Sequence, residues 1–146
     1  MDGPIRGIYQ RVIETAAPAA GAESITTVPA GKYWRLASFI ISLVTSATVA
    51  NRLASIVIDD GVNVLASFTF TGTAVGNITA SSTKNIIGTT QSFTSTGTIA
   101  NTGGIPLPDP MFFLLQPGWR VRTLTDLIQV GDQYGIARLV VQEFEG

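Results

Sequence analysis

The sequence predicts an all-β protein, an antiparallel β-sandwich of about eight strands that is jelly-roll-like in its arrangement. Short runs of β-branched and aromatic residues recur between clusters of Gly, Pro, Asn and Asp. No stretch of useful length has the periodicity of an amphipathic helix. With 146 residues, the chain has the size of one domain and can bury a core without a disulfide or a metal.

Residues 1–23 are predicted to form an extended N-terminal arm and linker, in which residues 11–15 are a candidate short strand, followed by the sandwich domain over residues 24–146. The arm contains several large apolar residues, and these make it too apolar for an idle tail: Ile5, Ile8, Tyr9, Val12 and Ile13. The run from Ala16 to Ala22 is typical of a flexible linker of small residues. A frayed terminus without a role is the alternative.

The sandwich is predicted to be organised around a long hairpin, whose arms run from Tyr33 to Val44 and from Arg52 to Asp60. Strict alternation along the first arm puts apolar residues on both faces, with Tyr33 and Phe39 on one face and Trp34 and Leu36 on the other. We expect a strand with two apolar faces to need a second partner, and we take this partner to be another subunit. Tyr33 and Phe39 are therefore candidate contact residues.

The remaining strands follow from turn signals. A short strand from Ser24 to Val28 precedes the hairpin, and Asp60-Gly61 predicts a two-residue turn into a strand over residues 62–70. Further strands are predicted within residues 84–93, 111–115, 120–125 and 134–144. For the Thr- and Ser-rich stretch 71–83, a disordered tract is the alternative.

Composition excludes several classes of function. The chain has no cysteine and no histidine, so the usual nucleophile–base pairs and metal sets are missing. A Ser-x-x-Lys match at Ser81 and Lys84 lacks the helix that such a dyad needs. A net charge of -1, with nine thinly spread basic residues, does not favour nucleic acid as a partner. We therefore predict a protein that is not an enzyme and has no cofactor.

No apolar run approaches the ~18 residues of a membrane span, and the first residues do not resemble a signal peptide. We expect synthesis in a cytoplasm and no membrane partner. The mean hydropathy of +0.34, with 13% charged residues, nevertheless indicates more apolar surface than a small core requires. The excess favours protein interfaces.

Two acidic pairs are the remaining candidates for chemistry. Asp59 and Asp60 are adjacent on a strand and so point to opposite faces, and Gly61 after them indicates a hairpin turn. Asp126 and Asp132 flank the loop before the last strand, where they could bind a cation only with help from carbonyl oxygens. Neither pair predicts an active site.

Trp119 lies at a turn beside Arg120 and Arg122. Trp and Arg are enriched among the residues that dominate binding interfaces, so this segment is a candidate contact surface. A place in the core is the alternative for Trp119. A sugar-stacking platform that uses Trp119 is a further hypothesis.

Several segments resemble small structural proteins of tailed bacteriophage particles, notably head decoration or cement proteins. They are Pro29-Ala-Gly-Lys-Tyr-Trp-Arg-Leu36, Thr45-Ser-Ala-Thr-Val-Ala-Asn-Arg52 before a strand that ends Ile58-Asp-Asp-Gly61, Leu115-Gln-Pro-Gly-Trp-Arg-Val-Arg-Thr123, and Gly131-Asp-Gln133 before a strand that ends Val141-Gln-Glu-Phe-Glu145. The resemblance covers residues 24–146 without the Thr- and Gly-rich middle, and none of its motifs carries a catalytic residue.

This resemblance implies a homotrimer on the capsid surface of a virion that bridges neighbouring major capsid subunits. The expected contact residues, which join the arm, the long hairpin and the Trp119 segment, are Ile5, Ile8, Tyr9, Val12, Tyr33, Phe39, Trp119, Arg120 and Arg122. Two other hypotheses stay open. One is a carbohydrate- or receptor-binding module of a phage tail, and the other is a hydrolase that uses carboxylates alone.

Overall fold

The computed structural model describes residues 9–69, 83–89, 102–106 and 114–146, and within them the chain forms strands and no helix. In chain order the strands are β1 (Tyr9–Thr15), β2 (Ile25–Thr27), β3 (Lys32–Val44), β4 (Leu53–Asp59), β5 (Val64–Thr69), β6 (Thr83–Thr89), β7 (Thr102–Pro106), β8 (Arg120–Asp126), β9 (Gln133–Tyr134) and β10 (Ala137–Glu145). This part of the chain therefore offers no helix that could cross a bilayer.

The strands form two sheets. The first sheet has the order β1-β10-β3-β6-β7, with β9 paired to one end of β3, and the second sheet has the order β2-β8-β4-β5. All pairs are antiparallel except β6 with β7. The four-strand paths β1-β10-β3-β6 and β2-β8-β4-β5 are the two sheets of a jelly roll. The predicted antiparallel sandwich is confirmed.

A β-bulge in β3 changes which of its residues face the core. Val140 lies opposite Ser38 and Val141 opposite Leu36, so Ala37 is an extra residue without a partner on β10. Because the alternation shifts at Ala37, the core face carries both Leu36 and Phe39, and each is at most 1% exposed.

The expectation of two apolar faces on this strand is therefore wrong. Before the bulge Trp34 and Leu36 are buried, and after it Phe39, Ile41 and Leu43 are buried on the same face. The strand needs no partner beyond its own sandwich to cover these side chains. Phe39 is fully buried within the chain, so its prediction as a contact residue is wrong.

The predicted arm is also corrected. β1 pairs with β10 along its whole length, from Tyr9 opposite Glu143 to Thr15 opposite Ala137, so residues 9–15 form the outer strand of the first sheet. Ile5 and Ile8 lie outside the described residues.

The core lies between the sheets and is built mainly from β3, β4 and β10. Its buried hydrophobic cluster comprises Val28, Trp34, Leu36, Phe39, Ile41, Leu43, Ala54, Ile56, Ile58, Ile86, Leu115, Val121, Tyr134, Ala137, Leu139 and Val141. The turn at Asp60-Gly61 exists, but its loop runs over Asp60–Asn63, since Asp60 N donates to Asn63 O at 3.1 Å. Residues 70–82, 90–101 and 107–113, including Ser81 and most of the predicted strand 111–115, lie outside the described part.

Candidate functional site

The outer face of the second sheet carries a buried carboxylate held by two arginines. Val121 and Thr123 of β8 face the core, so Arg120 and Arg122 face outward. Their Nε atoms donate to Asp59 Oδ1 at 2.6 Å and Oδ2 at 2.5 Å. Burial alone raises the pKa of Asp59, but the two guanidinium groups outweigh burial and lower it to about 2.

A second buried carboxylate, Glu143, lines a cleft between β1 and β2 that has a volume of about 350 Å³. Glu143 accepts hydrogen bonds from Trp34 Nε1 at 2.9 Å and from Arg11 Nη1 at 3.0 Å, while Lys32 Nζ lies 3.6 Å away. Burial raises the pKa of Glu143, and the bonds from Trp34 and Arg11 outweigh it, so the pKa is lowered. Trp34 is 1% exposed and has no face free for a ligand.

A third buried charge pair joins two loops at one end of the sandwich. Arg52 Nε donates to Asp132 Oδ2 at 2.8 Å, and both side chains are fully buried. Asp132 also accepts bonds from Ser46 N and Gln129 N, both at 2.8 Å. Burial raises the pKa of Asp132, and these donors outweigh it and lower the pKa to about 2. A carboxylate saturated by these donors leaves no place for the cation considered above.

We call this end of the molecule the loop tip, defined as residues 16–22, 45–52 and 127–132. Gly21 N donates to Asp132 O at 2.7 Å, and Gln133 Nε2 donates to Pro18 O at 2.7 Å. Gly21 has φ 77°, and a side chain there would meet Val130 Cα at 3.0 Å, so the first and third loops are in close contact. The predicted flexible linker is thus tied to the loop that contains Val130.

The loop tip presents three large aliphatic side chains to solvent. Val49 is 88% exposed, Val130 is 87% exposed and Leu127 is 62% exposed. Leu127 has φ 58°, a left-handed conformation that is uncommon outside glycine. Singly exposed apolar residues are ordinary, but these three lie on loops that one buried ion pair holds together at the same end of the molecule.

A second apolar surface lies on the outer face of the first sheet, and we call it the outer strip: Val12, Ile40 and Val140. Val12 lies opposite Val140, and Ile40 lies opposite Arg138 one row further along the strands. Val12 is 63% exposed and Ile40 is 41% exposed. Beside them Arg138 Nε donates to Glu14 Oε1 at 2.9 Å in an exposed ion pair. The apolar surface of the outer strip is smaller than the second apolar face that strict alternation predicts for this strand.

The predicted contact residues do not form one surface. Tyr9 is 52% exposed at the start of β1, and Val12 belongs to the outer strip. Tyr33 lies opposite Phe144 and is partly buried. Trp119 is partly buried and packs against the core, which favours the core alternative for this residue. The roles of Tyr9, Val12 and Tyr33 as contacts stay predictions.

Arg120 and Arg122 are not free cations, because both are held by Asp59. Their strand β8 lies between β2 and β4, so its backbone is paired on both sides. Only the outward parts of the two guanidinium groups remain for a partner. Their role as contacts also stays a prediction.

The residues that sequence reasoning missed are those of the loop tip. The sequence assigns residues 45–51 no role beyond joining the two arms of the long hairpin, and it offers Asp132 only as a cation ligand. A signal was present, since Val49 and Val130 are large aliphatic residues among small and polar loop residues. Among the described residues, no group of acidic side chains could hold a metal ion.

By fold, the chain is a jelly-roll β-sandwich protein. No protein-family model matches it, and no curated protein matches it. Among solved structures, it is similar to a chain of infectious bursal disease virus Gx strain, with 12% identity and a TM-score of 0.28. The match covers 94% of this chain and 42% of that chain. At this TM-score the similarity carries no argument about function.

Proposed function

We propose that the protein is a non-enzymatic structural protein of a virus particle, which binds the capsid exterior and stabilises it by bridging major capsid subunits. The observation that carries the proposal is that, in the described part of the chain, the buried carboxylates are paired internally while large apolar side chains face solvent. These exposed side chains lie at the loop tip and the outer strip.

Proton transfer near neutral pH needs a group whose pKa lies near the working pH and which can reach a substrate. The carboxyls of Asp59 and Asp132 have pKa values of about 2, and Glu143 is also held ionised by its donors. Each of these groups stabilises the fold instead. Because internal hydrogen bonds and ion pairs engage these carboxylates, we favour a binding role over a catalytic one.

Exposed aliphatic groups support binding at small sites repeated over a large assembly. Multivalent attachment raises avidity by roughly 10² to 10⁴ without stronger individual contacts, so a small apolar surface suffices for a protein present in many copies. Jelly rolls occur both in viral capsid proteins and in lectins, and the fold is compatible with the proposal without deciding it. The homotrimer stays a prediction.

The test is to locate the protein in images of intact particles of the virus that encodes it, with antibody labelling against the chain. We expect label spread over the head surface at regular positions. A parallel test measures the half-life of heads at elevated temperature with and without the protein, and we expect longer survival with it. Label confined to the tail, or none on particles, would refute the proposal.

One observation favours a second candidate, the carbohydrate- or receptor-binding module. The cleft between β1 and β2 has a volume of about 350 Å³, which lies within the range of small-ligand sites, and it is lined by Arg11, Lys32 and several threonines. Binding on a glycan array that is lost in Arg11→Ala and kept in Arg138→Ala would support it.

A further inference from the structure

We propose that the protein docks on the shell through the loop tip, and that the loop tip binds in an uncharged apolar depression on the surface of a shell protein. This inference rests on the proposed function and adds the surface and the chemistry of the contact. Val49 and Val130 are its central side chains, and Leu127 is beside Ile128, which packs against the core.

The first argument is that the two valines are held in place before any partner arrives. Arg52 Nη2 donates to Thr48 O at 2.8 Å and Arg52 Nη1 donates to Ala50 O at 3.0 Å, so the carbonyls on both sides of Val49 are bound by one side chain. The backbone that carries Val49 is fixed in this way and loses little conformational freedom on docking.

The turn around Val130 is held by the other member of the same ion pair. Asp132 Oδ2 accepts from Gln129 N at 2.8 Å, and Asp132 N donates to Gln129 O at 2.9 Å. Since Arg52 and Asp132 are themselves joined at 2.8 Å, one buried contact positions both valines. The exposed apolar groups therefore belong to a preorganised unit.

The second argument is the charge of the tip. Residues 16–22, 45–51 and 127–131 include no Asp, Glu, Lys or Arg, and the charges of Arg52 and Asp132 neutralise each other inside. An ionised group of a partner would lose its hydration against such a surface without gaining an opposite charge. A complementary surface is therefore uncharged and apolar.

The third argument is size. Three partly exposed aliphatic side chains offer a few hundred Å² at most, below the about 800 Å² per partner of a stable pair. Two copies joined tip to tip would therefore not hold together alone. Repeated docking on a shell gains avidity that a pair lacks.

A lipid bilayer fits the tip less well than a protein surface. The three loops contain no Lys, Arg, Trp or Tyr other than the internally paired Arg52. Those are the residues that anchor proteins at a membrane interface. A shell protein is therefore the occupant that the composition favours.

Another loop offers a matched control. Val62 is 89% exposed, as much as Val49 and Val130, but it lies in the β4–β5 turn, where its N–H donates to the Asp60 carboxylate at 2.8 Å. The experiment measures binding to purified heads that lack the protein. It compares the wild type, the double variant Val49→Asp/Val130→Asp, the milder Val49→Ala/Val130→Ala and the control Val62→Asp, with thermal unfolding to confirm that each is folded.

We expect the double aspartate variant to bind heads at least about tenfold more weakly, the alanine variant to show a smaller loss, and Val62→Asp to bind like the wild type. If the wild type binds heads and both tip variants bind equally well, the inference is overturned while the proposed function stands. If the wild type itself does not bind heads, the proposed function fails, and the inference with it. Co-sedimentation of the wild type with phosphatidylcholine vesicles, lost in the aspartate variant, would instead assign the tip to a bilayer.

Discussion

Replacing Asp132 with Asn tests whether the buried ion pair organises one end of the sandwich. The substitution keeps the shape of the side chain but removes its charge, and it places an amide where Arg52 and Gln129 N now donate to a carboxylate. Arg52 remains buried with the carbonyls of Thr48 and Ala50 as its partners. We expect a folded but clearly destabilised protein.

The size of the effect follows from the site. The pKa of Asp132 is about 2 instead of 3.8, and a difference of about 1.8 corresponds to about 2.5 kcal/mol in favour of the ionised carboxylate in the folded state. Removing one partner of a buried pair also leaves the other charge uncompensated, which costs about 3–5 kcal/mol in comparable sites. We expect the free energy of unfolding to fall by about 3–5 kcal/mol and Tm by roughly 10–15 °C.

The assay is urea unfolding followed by the fluorescence of Trp34 and Trp119, with the exposed Asp126→Asn as the matched control. Asp126 is exposed at the end of β8, so its substitution should change the free energy of unfolding by less than about 0.5 kcal/mol. The comparison between Asp132→Asn and the wild type is then repeated at lower pH.

The pH series has a definite sign. Because the folded pKa lies below the unfolded one, the contribution of Asp132 is fully present above about pH 4 and is lost as the pH falls toward 2. The stability difference between the wild type and Asp132→Asn should therefore shrink by about 2 kcal/mol between pH 6 and pH 2, because the Asp132 carboxyl is half ionised at its folded pKa. A cost below 1 kcal/mol, or a difference independent of pH, would show that the pair does not stabilise the fold as argued.

Two further predictions concern β3. Trp34→Phe removes the Nε1 donor that lies 2.9 Å from Glu143 Oε2. Because a buried carboxylate loses a partner, we expect the free energy of unfolding in urea to fall by about 1–3 kcal/mol. An unchanged midpoint would contradict this. Deleting Ala37 removes the bulge and restores strict alternation, so that Leu36 and Phe39 stay on the core face and the partners on β10 are unchanged. We expect the deletion variant to keep a native near-ultraviolet circular dichroism spectrum and cooperative unfolding, like the control Ala37→Ser, and loss of both would show that the fold requires the extra residue.

Local patterns in the sequence located most strands of the sandwich. The predicted strands 33–44, 120–125 and 134–144 correspond to β3, β8 and β10, and the inward faces of β8 and β10 follow strict alternation. The reason is that a period of two residues is a property of the strand itself. Where β3 departs from that period, at Ala37, the prediction of its faces failed.

The candidate sites were less predictable because their parts are far apart in the chain. Arg52 and Asp132 are separated by 80 positions, and Asp59 and Arg120 by 61. No local feature of the sequence at these positions identifies the residue with which each one pairs. The loop tip became visible only when the first sheet brought the ends of β1 and β3 beside the loop after β8.

Composition and alternation by themselves determined that this chain is an all-β sandwich without histidine or cysteine chemistry, because residue types and a two-residue period can be read locally. Tertiary structure alone decided that β1 belongs to the sheet, that β3 has one buried face, and that one buried ion pair joins the loops of Val49 and Val130. These features depend on the register between distant strands and on the pairing of buried charges. Both are set only when the two sheets pack against each other.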